Sequence, residues 1–206
     1  MRTKYRPWAV DYLDEHPEIV LASINFEDDF FTKKPLRMEI GSGKGDFIVN
    51  IAKANPEISY LAVEKVKTVA GIMAKKIADE EVLNVKVFAN DIGIIFGEIK
   101  DDSVDEIYLN FVDPWPKKRH EKRRLTFHKF LEQYYRILKP NGKLIFKSDN
   151  DGLFAFSVEE IANSKFKTLL VEEKYDFDPT SDAMTEYETK FRNKGQNIHR
   201  IIAQKI

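Results

Sequence analysis

A glycine-rich loop is the first stretch of the sequence that could bind a ligand. Residues 39–46 read Glu-Ile-Gly-Ser-Gly-Lys-Gly-Asp and lie between an apolar run and a segment with helical periodicity. Glycines permit a sharp turn from strand to helix and let a ligand lie against the backbone. A dinucleotide fold has the spacing G-x-G-x-x-G, but here Asp46 would bring a carboxylate near the pyrophosphate. A P-loop needs Ser or Thr after its lysine, so this loop favours a nucleotide-like ligand without phosphates.

Acidic residues recur after the apolar runs that follow this loop. Glu64, Asp91, Asp113 and Asp149 follow four successive predicted strands. Asp and Glu are common at turns and helix starts, but the carboxyl ends of strands in open α/β sheets are also where ligands bind. Glu64 is placed to accept hydrogen bonds from ribose hydroxyls, and Asn90 with Asp91 could meet an adenine edge. Such an acidic cleft suits a cationic adenosyl ligand.

The most basic stretch of the chain is residues 117–124, Lys-Lys-Arg-His-Glu-Lys-Arg-Arg. It carries a charge of +5, whereas the whole chain carries −1 and the remainder therefore −6. Basic charge at a helix start opposes the helix dipole, so this placement favours an anionic partner over a merely solvated helix start. The run predicts contact with nucleic-acid phosphates and an affinity that falls with salt.

The elements that must position these residues alternate from residue 36 onward between short apolar runs and helical periodicity. This alternation is typical of βα units around a mostly parallel sheet. Strands are predicted at residues 36–40, 59–63, 85–89, 104–111, 142–147, 166–171 and 197–203. Helices are predicted at residues 46–54, 66–77 and 127–138. Residues 1–35, with Arg2, Lys4, Arg6 and a short helix from Pro7, are interpreted as an N-terminal arm that could be mobile, ahead of one domain at 36–206.

The composition excludes several kinds of chemistry. The chain has no cysteine, which rules out disulfides, thiol catalysis and thiolate zinc sites, and its four histidines lack metal-ligand spacing. We therefore expect no metal. No apolar run approaches the roughly 18 residues of a membrane span, and no signal-peptide pattern follows the basic start. A cytoplasmic protein without a membrane partner is predicted.

Motifs along the chain from about residue 36 resemble those of the bacterial tRNA (guanine-N7-)-methyltransferases, which depend on S-adenosylmethionine. The motifs are the glycine loop at 39–45, Val-Glu at 63–64, Asn-Asp at 90–91, Asp-Pro-Trp-Pro-Lys-Lys-Arg-His at 113–120, Leu-Lys-Pro-Asn-Gly at 138–142, Lys-Ser-Asp-Asn at 147–150 and Thr-Glu-Tyr-Glu at 185–188. The glycine loop belongs to class I methyltransferases generally, whereas the motifs at 113–120 and 185–188 are specific to this family.

The resemblance implies a fold and a reaction. The fold is α/β, a Rossmann-like class I methyltransferase domain with a seven-stranded, mostly parallel sheet, an antiparallel last strand and helices on both faces. The reaction is methyl transfer from S-adenosyl-L-methionine to N7 of a guanine in tRNA, at position 46 of the variable loop, giving 7-methylguanosine. The expected partner is tRNA, and the resemblance leaves open whether the protein is a monomer or a homodimer.

The resemblance also assigns roles to single positions. Asp113 is the catalytic position, between cofactor and base. Residues expected to bind the cofactor are Glu39, Gly41, Gly43, Glu64, Asn90, Asp91 and Asp113. Residues expected to contact the substrate are Lys117, Asp149, Thr185, Glu186, Tyr187 and Glu188. Residues expected to contact RNA are Arg119, His120, Lys122, Arg123 and Arg124.

The residue types fit this chemistry, and two rival functions stay open. N7 of guanine carries an in-plane lone pair, so the enzyme needs alignment and no strong base. The carboxylate of Asp113 can hold the donor edge of the base and favour the cation that develops. One rival is a methyltransferase of the same fold that acts on an exocyclic amine, because the 113–116 loop is similar to the Asp/Asn-Pro-Pro-aromatic loop of such enzymes. The other is an RNA-binding module with a vestigial cofactor site. The spacing around Asp46 disfavours a nicotinamide enzyme.

Overall fold

Seven strands and eight α-helices form the regular structure of residues 4–206, the part of the chain that the computed structural model describes. The strands are β1 (Leu36–Ile40), β2 (Ser59–Val63), β3 (Val85–Phe88), β4 (Val104–Asn110), β5 (Leu138–Ser148), β6 (Lys167–Glu172) and β7 (His199–Gln204). The helices are α1 (Pro7–Glu15), α2 (Asp29–Thr32), α3 (Asp46–Ala54), α4 (Lys67–Asp79), α5 (Ile92–Ile95), α6 (His128–Ile137), α7 (Asp151–Ala162) and α8 (Glu186–Arg192). A 3₁₀ helix covers Lys118–Arg123.

The strands form one sheet with the order β3-β2-β1-β4-β5-β7-β6. β2 pairs in parallel with β1 and β3, and β4 pairs in parallel with β5. β7 runs antiparallel to both β5 and β6. The predicted α/β fold, with a mostly parallel seven-stranded sheet and an antiparallel last strand, is confirmed. The chain divides into two compact units, one that runs to Lys100 and includes Asp182–Thr185, and one that consists of Asp101–Ser181 and Glu186–Ile206.

In the first unit, apolar strands and the apolar stripes of two helices build the core. All five residues of β2 are buried, as expected for a parallel strand with neighbours on both edges. The buried apolar residues of α3 and α4 include Phe47, Ile48, Ile51, Val69, Ala70, Met73 and Ile77. Their spacing of three and four residues is the helical period from which both helices were predicted.

The residues predicted as an N-terminal arm include elements that pack within this unit. The short helix predicted from Pro7 is α1, which lies against α4 and buries Ala9 completely. Beyond it, Leu21 N–H donates to the Val87 carbonyl (2.8 Å), and Val87 N–H donates to the Ile19 carbonyl (2.9 Å). These strand-like contacts were not predicted, because the stretch has no alternating pattern. Arg2 lies outside the described residues, and the boundary between an arm at 1–35 and a domain at 36–206 stays a prediction.

Substitution of Gly71 by alanine is expected to loosen α1 from α4. A Cβ added at Gly71 would overlap the backbone carbonyl oxygen of Ala9, so the two helices would have to separate, at a cost of about 1–3 kcal/mol. The expected result is a lower melting temperature and faster amide exchange within α1. The control is Gly97→Ala, because a Cβ there meets nothing within 4 Å. Equal melting temperatures for the two variants would contradict this packing.

In the second unit, β5 begins earlier than predicted. The sequence places its start at Gly142, because the Pro140-Asn141-Gly142 turn interrupts the apolar pattern, but the strand starts at Leu138. Leu138 pairs with Val104 before the turn, and the register shifts at Glu106 afterwards. The turn is therefore an irregularity inside the strand, similar to a β-bulge. The other predicted strand boundaries differ by at most a few residues.

The edge strand of the sheet in this unit has exposed apolar side chains and one ion pair to its neighbour. β6 is the edge strand, and Leu169, Leu170 and Val171 are exposed on it. Arg200 of β7 donates from Nε to the carboxylate of Glu172 (2.6 Å), which ties the end of β6 to its neighbour. Among residues 4–206, no helix is long and apolar enough to cross a membrane.

Candidate active site

The glycine loop of the first unit makes a tight connection from β1 to α3. Gly43 and Gly45 both have left-handed φ angles, 57° and 86°, where a side chain would be strained. A Cβ at Gly45 would also collide with the side chain of Met73 (2.6 Å to Cγ), whereas one at Gly43 meets nothing within 4 Å. Gly45 is thus required for packing, whereas the space beside Gly43 is open.

Glu64, at the end of β2, holds this loop in place. Its Oε2 accepts a hydrogen bond from Gly43 N–H (3.1 Å), and its Oε1 accepts one from Val66 N–H (2.8 Å). The side chain is buried, with 8% of its surface exposed. Each carboxylate oxygen can accept more than one hydrogen bond, so the same group could also accept from the two hydroxyls of a ribose.

Asn90 and Asp91 follow β3 and are exposed. Asp91 Oδ1 accepts from Gly93 N–H (2.9 Å) and caps α5. Asn90 Oδ1 accepts from Asp91 N–H (2.9 Å). Both side chains are therefore held by local backbone hydrogen bonds next to the end of β3, and their contact with adenine stays a prediction.

Two further acids of this unit differ in their surroundings. Glu39, on β1, is buried at 1% exposure, and its carbonyl accepts from the Ser42 hydroxyl (2.9 Å). Asp46 begins α3 and accepts a hydrogen bond from Lys76 Nζ of α4 at 2.6 Å. A carboxylate at this helix start would repel a phosphate, since it occupies the end of the helix that attracts anions.

In the second unit, Asp113 lies in an irregular loop after β4. Phe111 N–H donates to the Lys147 carbonyl (2.9 Å), which extends the pairing of β4 with β5 by one residue. Phe111 and Trp115 have left-handed φ angles of 51° and 41°, a conformation that costs energy for residues other than glycine. The Asp113 side chain is exposed.

The basic run forms the 3₁₀ helix and divides into outward and inward side chains. Those of Lys117, Lys118, Arg119, Lys122 and Arg123 are exposed, and His120 is half-buried with its ring edge-on to Trp115 at 5.8 Å. Arg123 places its guanidinium 4.9 Å from the centre of the Trp115 ring. Arg124 instead donates from Nε to the Pro114 carbonyl (3.1 Å) and from Nη2 to the Trp115 carbonyl (3.2 Å). No signal in the sequence separates this arginine from its neighbours.

The segment at 185–188 is helical from Glu186. Without the family resemblance the sequence predicts a solvated turn there, and that reading is wrong, because α8 begins at Glu186 and Glu188 is completely buried. Oε2 of Glu188 accepts from Lys147 Nζ (3.0 Å), and Oε1 accepts from Arg192 Nε and Nη2 (3.0 and 2.8 Å). Glu186 and Tyr187 are exposed.

A lysine inside an apolar strand is a signal in the sequence that a buried carboxylate must lie nearby, although it does not identify which one. Lys147 lies near the end of the Gly-Lys-Leu-Ile-Phe-Lys-Ser run, and its side chain is fully buried. A buried ammonium needs a carboxylate, and the candidates include the acids between residues 172 and 188. Asp149 follows two residues later, half-buried, and Asn150 caps α7 by accepting from Leu153 N–H (2.8 Å).

The acidic segment before α8 contains an ordered turn. Asp178 accepts hydrogen bonds from the Thr180 hydroxyl (2.7 Å), the Thr180 N–H (2.9 Å) and the Ser181 hydroxyl (2.9 Å). These bonds, those of Thr180 foremost, lower the pKa of Asp178 below its ordinary value. The carboxylate therefore stabilises the turn at neutral pH, and this contribution is lost only as the pH falls through the lowered pKa.

The fold is similar to that of solved methyltransferase structures. A solved structure titled as an antibiotic related methyltransferase superposes with a TM-score of 0.68 at 15% identity, covering 99% of this chain and 96% of that one. The 16S rRNA methyltransferase KamB gives 0.65 at 12% identity, covering 87% and 91%. At these identities the likeness shows the fold alone.

Sequence comparison identifies the family. A family model described as "Putative methyltransferase" matches residues 33–201. A tRNA (guanine-N(7)-)-methyltransferase of Staphylococcus aureus (strain MSSA476) is 42% identical over 99% of this chain and 98% of its own length. One of Staphylococcus haemolyticus (strain JCSC1435) is 43% identical over the same shares. The chain belongs to the tRNA (guanine-N7-)-methyltransferase family.

Proposed function

We propose that this protein transfers a methyl group from S-adenosylmethionine to N7 of a guanine in tRNA, at position 46 of the variable loop. The single observation that carries the reaction is the full-length similarity to tRNA (guanine-N7-)-methyltransferases. The motif at 113–120, which is specific to this family, supports it. The position in tRNA rests on the family resemblance of the motifs at 113–120 and 185–188.

The first unit supplies groups that fit the cofactor. The open backbone at Gly43 allows close approach, and the oriented carboxylate of Glu64 is suited to the ribose hydroxyls. Asn90 and Asp91 would hydrogen-bond the adenine. Glu39 and Gly41 would lie on the methionine side, where a buried carboxylate favours a cation. When bound, S-adenosylmethionine supplies an electrophilic methyl group on a positively charged sulfur.

The second unit supplies groups for the base and the RNA. Asp113 would accept hydrogen bonds from the donor edge of guanine and leave the N7 lone pair free to react. The base becomes cationic as N7 is methylated, and a carboxylate stabilises that charge. Lys117, Asp149, Thr185, Glu186 and Tyr187 would contact the substrate, and the exposed basic residues before Arg124 would contact phosphates. Glu188 was expected to contact the substrate too, but it is completely buried and paired with Lys147 and Arg192, so it would hold this segment in place instead.

Alignment accounts for the rate in this proposal, because no residue has to remove a proton before N7 reacts. Holding two reactants in the productive geometry can supply about 7–11 kcal/mol of the barrier. A carboxylate near the base is therefore a positioning and electrostatic group and not a general base. This requirement explains why the family motif combines an acid with two prolines and an aromatic ring, since rigid residues keep the acid in place.

The test is methylation of unmodified tRNA by the purified protein, followed by digestion and mass identification of the nucleoside. We expect 7-methylguanosine, and a tRNA in which guanine 46 is replaced by adenosine should accept no methyl group. A methylated exocyclic amine would favour the rival enzyme of the same fold. No transfer together with no S-adenosylmethionine binding by calorimetry would favour the RNA-binding module. Transfer to a guanine elsewhere would refute the variable-loop position only.

A further inference from the structure

Arg124 lies in the basic run, yet its contacts are directed into the protein. Its guanidinium donates to the carbonyl oxygens of Pro114 and Trp115, at 3.1 and 3.2 Å. These are successive carbonyls of the loop that begins at Asp113. An arginine that donates from two nitrogens to adjacent carbonyls restrains the loop in both position and direction, because the guanidinium is planar.

The same side chain is anchored on its other side. The guanidinium carbon of Arg124 lies 4.3 Å from the centre of the Phe156 ring on α7. Two residues later in the chain, the hydroxyl of Thr126 hydrogen-bonds that of Ser157 at 2.8 Å, and both residues are completely buried. α7 begins directly after Asp149 and Asn150. Arg124 therefore connects the loop of Asp113 to the helix that follows Asp149.

The loop has a conformation that needs such restraint. Trp115 has a left-handed φ of 41°, a strained conformation for a bulky residue, and the surrounding structure must offset this strain. Pro114 and Pro116 have no N–H, so hydrogen bonds to the loop's carbonyls are the main way to fix its backbone. The bonds from Arg124 reach two of those carbonyls, one of them that of the strained residue.

We propose that Arg124 is a positioning residue for methyl transfer, which acts by holding the 113–116 loop and thereby Asp113, and that it is not a phosphate contact. The sequence groups it with the RNA-binding residues, and the geometry points to this different role. The inference rests on the proposed function for its effect on turnover. Its effect on the loop does not depend on that function.

The first test uses the protein without RNA. In a Trp8→Phe background, Trp115 is the remaining tryptophan, so its fluorescence reports the loop. Arg124→Lys keeps the charge but cannot donate to both carbonyls in the same way. We expect acrylamide to quench Trp115 more strongly in this variant, while S-adenosylmethionine affinity measured by calorimetry falls no further than in Asp113→Ala. If Arg124 only bound phosphates, lysine would serve equally well and the quenching would not change.

The second test separates turnover from RNA affinity. Arg124→Lys is expected to lower kcat about 10- to 100-fold, because a small displacement of an aligning group has an effect of this size. The affinity of Arg124→Lys for tRNA should depend on salt in the same way as that of the wild type. Lys122→Ala is the contrasting variant, since Lys122 is exposed. It should reduce the slope of log K against log salt by about 1 and raise KM.

Two results would overturn the proposal. One is wild-type quenching and kcat for Arg124→Lys, and the other is a loss of about one unit of salt slope in Arg124→Ala, as for a phosphate contact. If the wild-type protein formed no 7-methylguanosine, the proposed function would fail instead, and the quenching measurement would still decide whether Arg124 holds the loop. A melting curve of each variant checks that the fold is retained.

Discussion

Replacement of Asp113 by alanine is expected to lower kcat about 10²- to 10³-fold, the effect of removing one preorganised electrostatic group from a transition state. The side chain is exposed in the loop after β4, and no buried ion pair of the described residues depends on it. The melting temperature should therefore stay close to that of the wild type. Initial rates at saturating tRNA and S-adenosylmethionine measure the change.

Comparison of Asp113→Ala with Asp113→Asn separates the hydrogen-bond acceptor of this carboxylate from its charge. Asp113→Asn retains a carbonyl acceptor but loses the charge, so it should be slow as well, with tRNA affinity closer to normal than in Asp113→Ala. S-adenosylmethionine affinity should weaken only in part, because most of the predicted cofactor contacts lie in the first unit. Asp14→Ala is the control, since Asp14 is an exposed acid on α1. Turnover of Asp113→Ala near the wild-type value would refute the catalytic assignment.

Replacement of Glu188 by leucine is expected to lower the free energy of unfolding by about 3–5 kcal/mol, as for a buried ion pair that loses one member. Lys147 is fully buried beside it, so its ammonium would lose the carboxylate of Glu188. Arg192 would also lose the acceptor for its Nε and Nη2 hydrogen bonds. Its Nη1 would still donate to the Tyr175 carbonyl (2.9 Å). Urea unfolding followed by circular dichroism measures the loss.

The double variant Lys147→Met/Glu188→Leu provides the decisive comparison. Apolar residues of similar volume can replace a buried pair with little loss, so the double variant should regain most of the stability that Glu188→Leu loses. Asp79→Asn is the matched surface control, because Asp79 pairs with Lys75 on the exposed face of α4 at 2.7 Å and should change stability by less than about 0.5 kcal/mol. A double variant as unstable as Glu188→Leu would show that the pair is not the source of the effect.

The parts of the fold that follow from local patterns were predictable from sequence. β1, β2 and α3 lie at their predicted bounds, because a continuous apolar run between turn residues, or an apolar stripe of period 3.6, is a property of neighbouring residues. The start of β5 was not predicted, since the partner of Leu138 is Val104, far away in sequence.

The site shows the same division between local and distant causes. The glycine loop and the acid of Glu64 could be recognised, because their spacing is local and their chemistry is evident from residue type. The partner of Lys147 could not be identified from the sequence, since Glu188 lies 41 residues away and the acidic segment around it is typical of solvated turns. The inward direction of Arg124 depends on the packing of Phe156, which no pattern within residues 117–124 encodes.

The ion pairs at Glu188 change how the acidic segment would act on an approaching polyanion. From residue 172 to 188 the sequence contains seven acids and a single lysine, which suggests a repulsive electrostatic field. However, Glu172 is neutralised by Arg200, and the group formed by Lys147, Arg192 and Glu188 has one more cation than anions. Fields of neutralised pairs fall off faster with distance than those of single charges, and salt screens what remains within about 8–10 Å. A tRNA phosphate would therefore be repelled less by this segment than its composition implies.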